Sequence, residues 1–176
     1  MKKIALLLML LSVLNACEKI DKLTQFDLHL DTEITIPAGI PINTPLPIST
    51  PDISLTNESV FENNNTTKEL IEEAKLQELK LSVIAPPDGN FNFLKDLEIY
   101  ISTDNLPKIK IAWIYDHPND NQKILYLETS NEDLSAYLKS DTIKISISTV
   151  TDEVLTQDYT VRVDYTFFID AKILGI

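Results

Sequence analysis

The side chains able to do chemistry are few and scattered. Cys17 is the only cysteine among 176 residues, so no disulfide can form within the chain. His29 stands between Asp27 and Asp31 at every second position. In a strand that spacing puts all three on one face, about 6.5–7 Å apart, within reach of a shared cation. An outward strand face has the same composition, and no further histidine lies nearby in sequence, so a solvated face is expected. His117 in "YDHPNDN" sits beside Asp116, Asp120 and Asn121, an oxygen-rich set. The spacing of a calcium loop and its closing bidentate glutamate are missing, which leaves a polar turn. No G-x-S-x-G elbow occurs, and neither histidine neighbours a plausible nucleophilic serine. With 27 acidic residues, pairs such as Glu72–Glu73 and Asp152–Glu153 arise by chance, and three glycines cannot build a phosphate cradle. No enzymatic activity, metal, cofactor or small-molecule substrate is expected. Trp113, Tyr115, Tyr100 and Tyr126 fall on neighbouring expected strands and could line a carbohydrate platform. Trp113 shares its parity with Ile109 and Ile111, however, which points it into the core.

Cys17 gains meaning from what precedes it. Lys2 and Lys3 are followed by an apolar run from Ile4 to Leu14, about eleven residues and well short of the roughly twenty that span a bilayer. The stretch Leu14-Asn15-Ala16-Cys17 resembles the lipobox of bacterial lipoproteins, with a branched aliphatic three before the cut and a small residue one before it. The resemblance covers only the first seventeen residues. It implies cleavage before Cys17, a diacylglycerol on its sulfur and often a further acyl chain on the new amino group. Two or three chains give stable anchoring where one gives marginal binding. Residues 1–16 are then a lipoprotein signal peptide, 17–24 the acylated cysteine and a tether, and 25–176 one domain. The implied place is the cell envelope, anchored to a membrane, most naturally the outer membrane on its periplasmic or surface face.

The net charge of −12 grows more negative once Lys2 and Lys3 leave with the leader. Nucleic acid and anionic headgroups are repelled by such a domain. Arg162 is the only arginine, and bidentate clamping of phosphate or carboxylate relies on that side chain, so anionic metabolites are poor ligands.

Positioning of all these residues rests on short alternating runs. Phe26, Leu28, Leu30, Ile34 and Ile36 alternate with polar residues, giving a half-buried strand that Pro37 and Gly39 end. In "AGIPINTPLPISTPDISL" Ile40, Ile42, Leu46 and Ile48 are even and Pro41, Pro45, Pro47 and Pro51 odd. One parity of an antiparallel strand faces one neighbour, so all missing N–H donors lie along one side, as an edge strand over 40–48 would place them. A polyproline-like strap without a ladder is the competing reading. Thr66 and Glu69 have capping-box spacing, which predicts a short helix to about Lys75 with Leu70, Ile71 and Ala74 on one face. Strands are expected at 79–83, 97–102, 108–114, 123–128, 142–149 and 156–169. Phe91, Phe93 and Leu94 form an apolar plug, and "NEDLSAYLKS" forms a helical turn with Asn131 as cap and Leu134, Tyr137 and Leu138 inward. The last two strands are expected to pair through a turn at Asp152 and Glu153.

These runs predict an all-β fold, an antiparallel two-layer β-sandwich of about eight strands with one or two short helices. It is similar in architecture alone to a generic immunoglobulin-like sandwich, because the Cys…Trp…Cys signature is absent. Three functions follow. The first is a non-enzymatic binding or structural accessory domain, anchored to the membrane and joined to an envelope or surface protein. A glycan-binding or adhesion module using the loops at 86–90 and 115–122 is the second. The third is a hydrolase with a scattered acidic site.

Overall fold

A strand with alternating apolar and polar side chains must bury one face, and β1 (Gln25–Ile36) buries Leu28, Ile34 and Ile36 while Asp27, His29, Asp31 and Glu33 stay in solvent. The computed structural model describes residues 24–55 and 59–172. After β1 come β2 (Leu46–Ser49), β3 (Ile53–Ser54), the short helix α1 (Ser59–Asn63), a 3-10 turn (Lys68–Leu70) and β4 (Ile71–Ala85). Then follow β5 (Leu94–Ser102), β6 (Ile109–Ile114), β7 (Ile124–Tyr126), β8 (Glu128–Thr129), α2 (Ser135–Leu138), β9 (Thr142–Thr151) and β10 (Tyr159–Ala171). One antiparallel sheet runs in the order β1-β10-β4-β7, and the other β2-β9-β5-β6-β8 with β3 also on β9. Leu79, Val163 and Phe167 from the first sheet and Ile99, Ile101, Ile145 and Ile147 from the second belong to one buried cluster. The chain is an antiparallel β-sandwich with two short helices, as its alternation predicts.

Several elements differ from expectation for a common reason. The expected helix over 66–75 is largely strand: Ile71, Glu73, Ala74 and Lys75 pair with Ala171, Asp170, Ile169 and Phe168 of β10. Two irregularities of register leave Glu72 and Gln77 as extra residues in β4. Each bulge lengthens the gap between buried neighbours, so Ile71 and Ala74, and again Leu76 and Leu79, stand three apart and imitate helical spacing. Thr66 caps nothing; its hydroxyl donates to the carbonyl of Lys172 at 2.5 Å. The helix lies before the asparagine run instead, where Phe61 of α1 meets Phe26 edge-on at 5.9 Å, and Asn65 closes the turn at a φ of 53°.

The proline-rich segment divides the two readings between its halves. Residues 40–45 carry no ladder, while β2 is an edge strand paired with Thr149–Ser146 of β9. The N–H of Thr50 donates back to Ile145, so the opposite parity, that of Pro45 and Pro47, faces away from β9. Alternation shows which face of a strand is wet but not which sheet receives it. β9 and β10 therefore do not form the expected hairpin: β10 is paired on both sides, by β1 and β4, and residues 152–158 cross between layers. The expected strand over 123–128 also splits, β7 joining β4 and β8 joining β6, with Leu127 donating to Leu79 at the crossing.

The smaller expectations fare better. Phe91, Phe93 and Leu94 are fully buried, as are Leu134 and Leu138, with Tyr137 nearly so. Asn131 does not cap that helical turn: its N-cap is Leu134, without a side-chain cap bond, and one residue earlier Asp133 Oδ1 accepts from the N–H of Ser135 at 3.0 Å and of Ala74 at 3.1 Å. Burial pushes this carboxyl up, but the bonds from Ser135 and Ala74 outweigh it and hold it below the usual range.

Candidate functional site

Cys17 and its tether lie outside the described residues. His29, Asp27 and Asp31 are exposed along the outer face of β1, and the ring Nδ1 of His29 lies 3.2 Å from the Thr166 hydroxyl. Asp31 turns to Arg162, 3.5 Å away. These groups bond across the sheet and do not converge. His117 departs from the expected wet turn, since its side chain is only 3% exposed. Its backbone N–H donates to the carbonyl of Lys95 at 2.9 Å, and its Nε2 is 3.9 Å from Asp120. Asp120 is itself engaged by the backbone and side-chain amides of Gln122. Among the described residues no three carboxylate, histidine or cysteine side chains are grouped to hold a metal.

Asp104 and Asp141 meet in a concavity of about 320 Å³, lined also by Thr103, Asn105, Lys139, Ser140 and Thr142. Asp104 is paired with Lys144 and Asp141 with Lys68, and the two carboxylates are 78% and 80% exposed. A general acid is made by desolvating a carboxyl away from cations. This arrangement does the reverse to both.

The most organised polar cluster lies on the outer face of the six-stranded sheet. In β5 the residues Glu98, Tyr100 and Ser102 point out while Leu97, Ile99 and Ile101 point in. β6 pairs with it regularly until a bulge between Ile99 and Tyr100, where Ile111 is the extra residue and is buried beside Ala112. The bulge restarts the alternation, so Trp113 sits opposite Glu98 on the outer face, while Ile111 and Ala112 lie in the core and Ile109 and Ile114 pack against it. Trp113 is therefore no core residue, contrary to its sequence parity.

Glu98 is the hub of this cluster. Its Oε2 accepts from the Tyr100 hydroxyl at 2.6 Å, and its Oε1 accepts from the Tyr115 hydroxyl at 2.5 Å and from Lys110 Nζ at 3.1 Å. Those bonds, led by Tyr100 and then Tyr115, lower the Glu98 carboxyl to about 2. The same sharing raises Lys110, through Tyr115 and Glu98, and raises Tyr100 through Glu98. Lys110 Nζ also stands 5.2 Å from the Trp113 ring centre and 5.4 Å from that of Tyr115, while Lys108 stands 4.2 Å from Tyr100. Trp113 Nε1 donates to Glu128 Oε2 of β8 at 2.8 Å. Three aromatic rings are thus held in place by charge-assisted bonds on an open face. Tyr126, expected to join them, is on the other sheet, opposite Lys80.

The alternation of β5 marks Glu98 and Tyr100 as outward, but nothing in sequence marks the bulge that brings Trp113 to them. The end loops do come together: Phe91 donates to Gln122, Asn92 and Asn121 bond reciprocally, and Lys123 reaches the carbonyl of Pro87. These loops spend their polar groups on each other. A further concavity of about 330 Å³ lies beside Phe61, Glu62, Asn65, Lys68 and Glu69, and its Lys68 is paired with Asp141.

No family model and no curated protein matches the sequence. Among solved structures the chain is similar to one in the capsid of Helicobacter pylori bacteriophage KHP30, at 7% identity over 81% of this chain and 92% of that one, with a TM-score of 0.34. It is also similar to the decameric BFDV capsid protein (8% identity, 82% and 99% covered, TM-score 0.35). A chain of the Triatoma virus empty capsid stands at 9% identity, 86% and 90% covered, with a TM-score of 0.36. Likeness at this level carries nothing about function or assembly, and the sandwich rests on its own strand pairing.

Proposed function

We propose that this chain is a lipid-anchored, non-enzymatic binding module of a bacterial cell envelope. The observation that carries the reading is the placing of Cys17, directly after a basic and apolar leader and seven residues (18–24) ahead of β1. An acylated Cys17 holds the sandwich close to a bilayer, and the acidic surface keeps it from lying flat on anionic headgroups. The accessory reading is further supported by the paired and exposed state of Asp104 and Asp141, which argues against the scattered acidic hydrolase.

Fractionation tests the anchor. The chain with its native leader partitions with membranes and enters the detergent phase, whereas Cys17→Ser is expected to leave the membrane fraction or to remain uncleaved. Equal membrane partitioning of the two after a carbonate wash, with the leader removed from both, contradicts the reading.

A further inference from the structure

We propose that the outer face of β5, β6 and β8 binds an uncharged glycan, stacked against Trp113 and Tyr115 and hydrogen-bonded by the groups around them. This names the ligand class of the tethered binding module and rests on that reading for its place in the envelope.

The first argument is the cost of the arrangement. Trp113 is the only tryptophan of the chain, and a regular strand would bury it with Ile109 and Ile111. The bulge at Ile111 turns it outward beside Tyr115, which is 48% exposed. Bulges commonly serve to re-aim a side chain at a working surface. Folding alone gains nothing from moving the largest apolar side chain out of the core.

The second is the chemistry of the rim. A pyranose presents C–H groups on its faces and hydroxyls around its edge, so it is recognised by aromatic rings flanked by fixed acceptors and donors. Here Glu98, Lys110 and the two tyrosine hydroxyls form one bonded set, and Glu128 holds the indole N–H. Rings fixed before binding lose little freedom when a ligand arrives.

The third is what the rest of the face excludes. Across β9 the residues opposite Glu98 and Tyr100 are Ser148 and Ser146, small hydroxyl side chains, and beside them Tyr115 is exposed while Trp113 and Tyr100 are half-buried. A stable protein partner covers about 800 Å² of surface on each side, a little over half of it apolar. The other large exposed apolar residues, among them Ile84, Ile124 and Tyr126, lie elsewhere. An anionic sugar meets a chain of net charge −12, with the carboxylates of Glu98 and Glu128 beside the rings.

The lone tryptophan makes the test direct. The full chain, purified in a detergent without a sugar headgroup, is titrated with neutral hexasaccharides of β-1,4-glucose, α-1,4-glucose, β-1,4-mannose and β-1,4-N-acetylglucosamine while Trp113 emission is followed. One of them is expected to give a saturable blue shift and protection from acrylamide. Tyr115→Ala is expected to weaken it about tenfold, and Trp113→Phe, followed by calorimetry, to weaken it less, both with unchanged circular dichroism. A panel without saturable change, binding that Tyr115→Ala leaves intact, binding confined to charged glycans, or a shift produced by self-association without sugar each overturns the proposal. The anchor is judged separately: a lipid on Cys17 with a blank panel removes only the glycan, and an unmodified Cys17 with a saturable titration removes only the anchor.

Discussion

Glu98 shows how one side chain sets the chemistry of a surface. A carboxyl held at about 2 in the folded state, against 4.5 ordinarily, stabilises the fold above the ordinary value and loses that contribution as pH falls from there to about 2. Its side chain is 28% exposed, and solvent trims the contribution to about 1–2 kcal/mol. Glu98→Gln is therefore expected to lower the unfolding free energy by that amount at pH 7, with the gap to the parent closing near pH 2. Urea denaturation at both pH values measures it, and a gap that is constant with pH contradicts the assignment. Trp113 makes a contrasting case. Because its ring lies outside the buried cluster, Trp113→Phe is expected to cost within about 1 kcal/mol. Phe167→Ala, which empties a fully buried site against Tyr165, is expected to cost about 3–5 kcal/mol. Equal losses in the same denaturation experiment would mean that Trp113 is core after all.

At the scale of elements, alternation was readable wherever a strand runs unbroken. β1, β5, β9 and β10 bury the residues their parity assigns. It misled where a bulge inserts a residue, since Glu72 and Gln77 stretch β4 into helical spacing and Ile111 reverses the face of Trp113. No local signal distinguishes a bulged strand from a helix over so few residues, because the bulge is defined by the partner strand. The sheet that each strand joins was equally hidden: that β9 and β10 part company depends on β1 and β4 occupying both sides of β10. The candidate site shares this limit, with Glu98 and Tyr100 legible on their strand and the cluster legible only in three dimensions. The edge strand β2 was readable through its prolines, and it carries its own test. Replacing Pro45 and Pro47 together by Thr adds two N–H donors to the outer side, beside that of Ser49. Sedimentation velocity is expected to show association that grows with concentration; a variant as monodisperse as its parent would deny the prolines that guarding role.

For the whole molecule, the account joins two ends of the chain's design. In the proposal a leader and a single cysteine give it a place, and a sandwich with one ordered aromatic face gives it something to present there. Two layers with one shared core make the domain rigid enough for that face to be fixed before any ligand meets it. The chain's net charge of −12, which loss of the leader makes more negative, would hold such a body off an anionic membrane in this proposal. The place is the claim on which the functional reading depends. Intact-mass spectrometry of the protein extracted from its native membrane tests it most directly. The account predicts a chain beginning at Cys17 and heavier by a diacylglyceryl group, with or without a third acyl chain; a free sulfhydryl at Cys17, or a first residue other than Cys17, contradicts it.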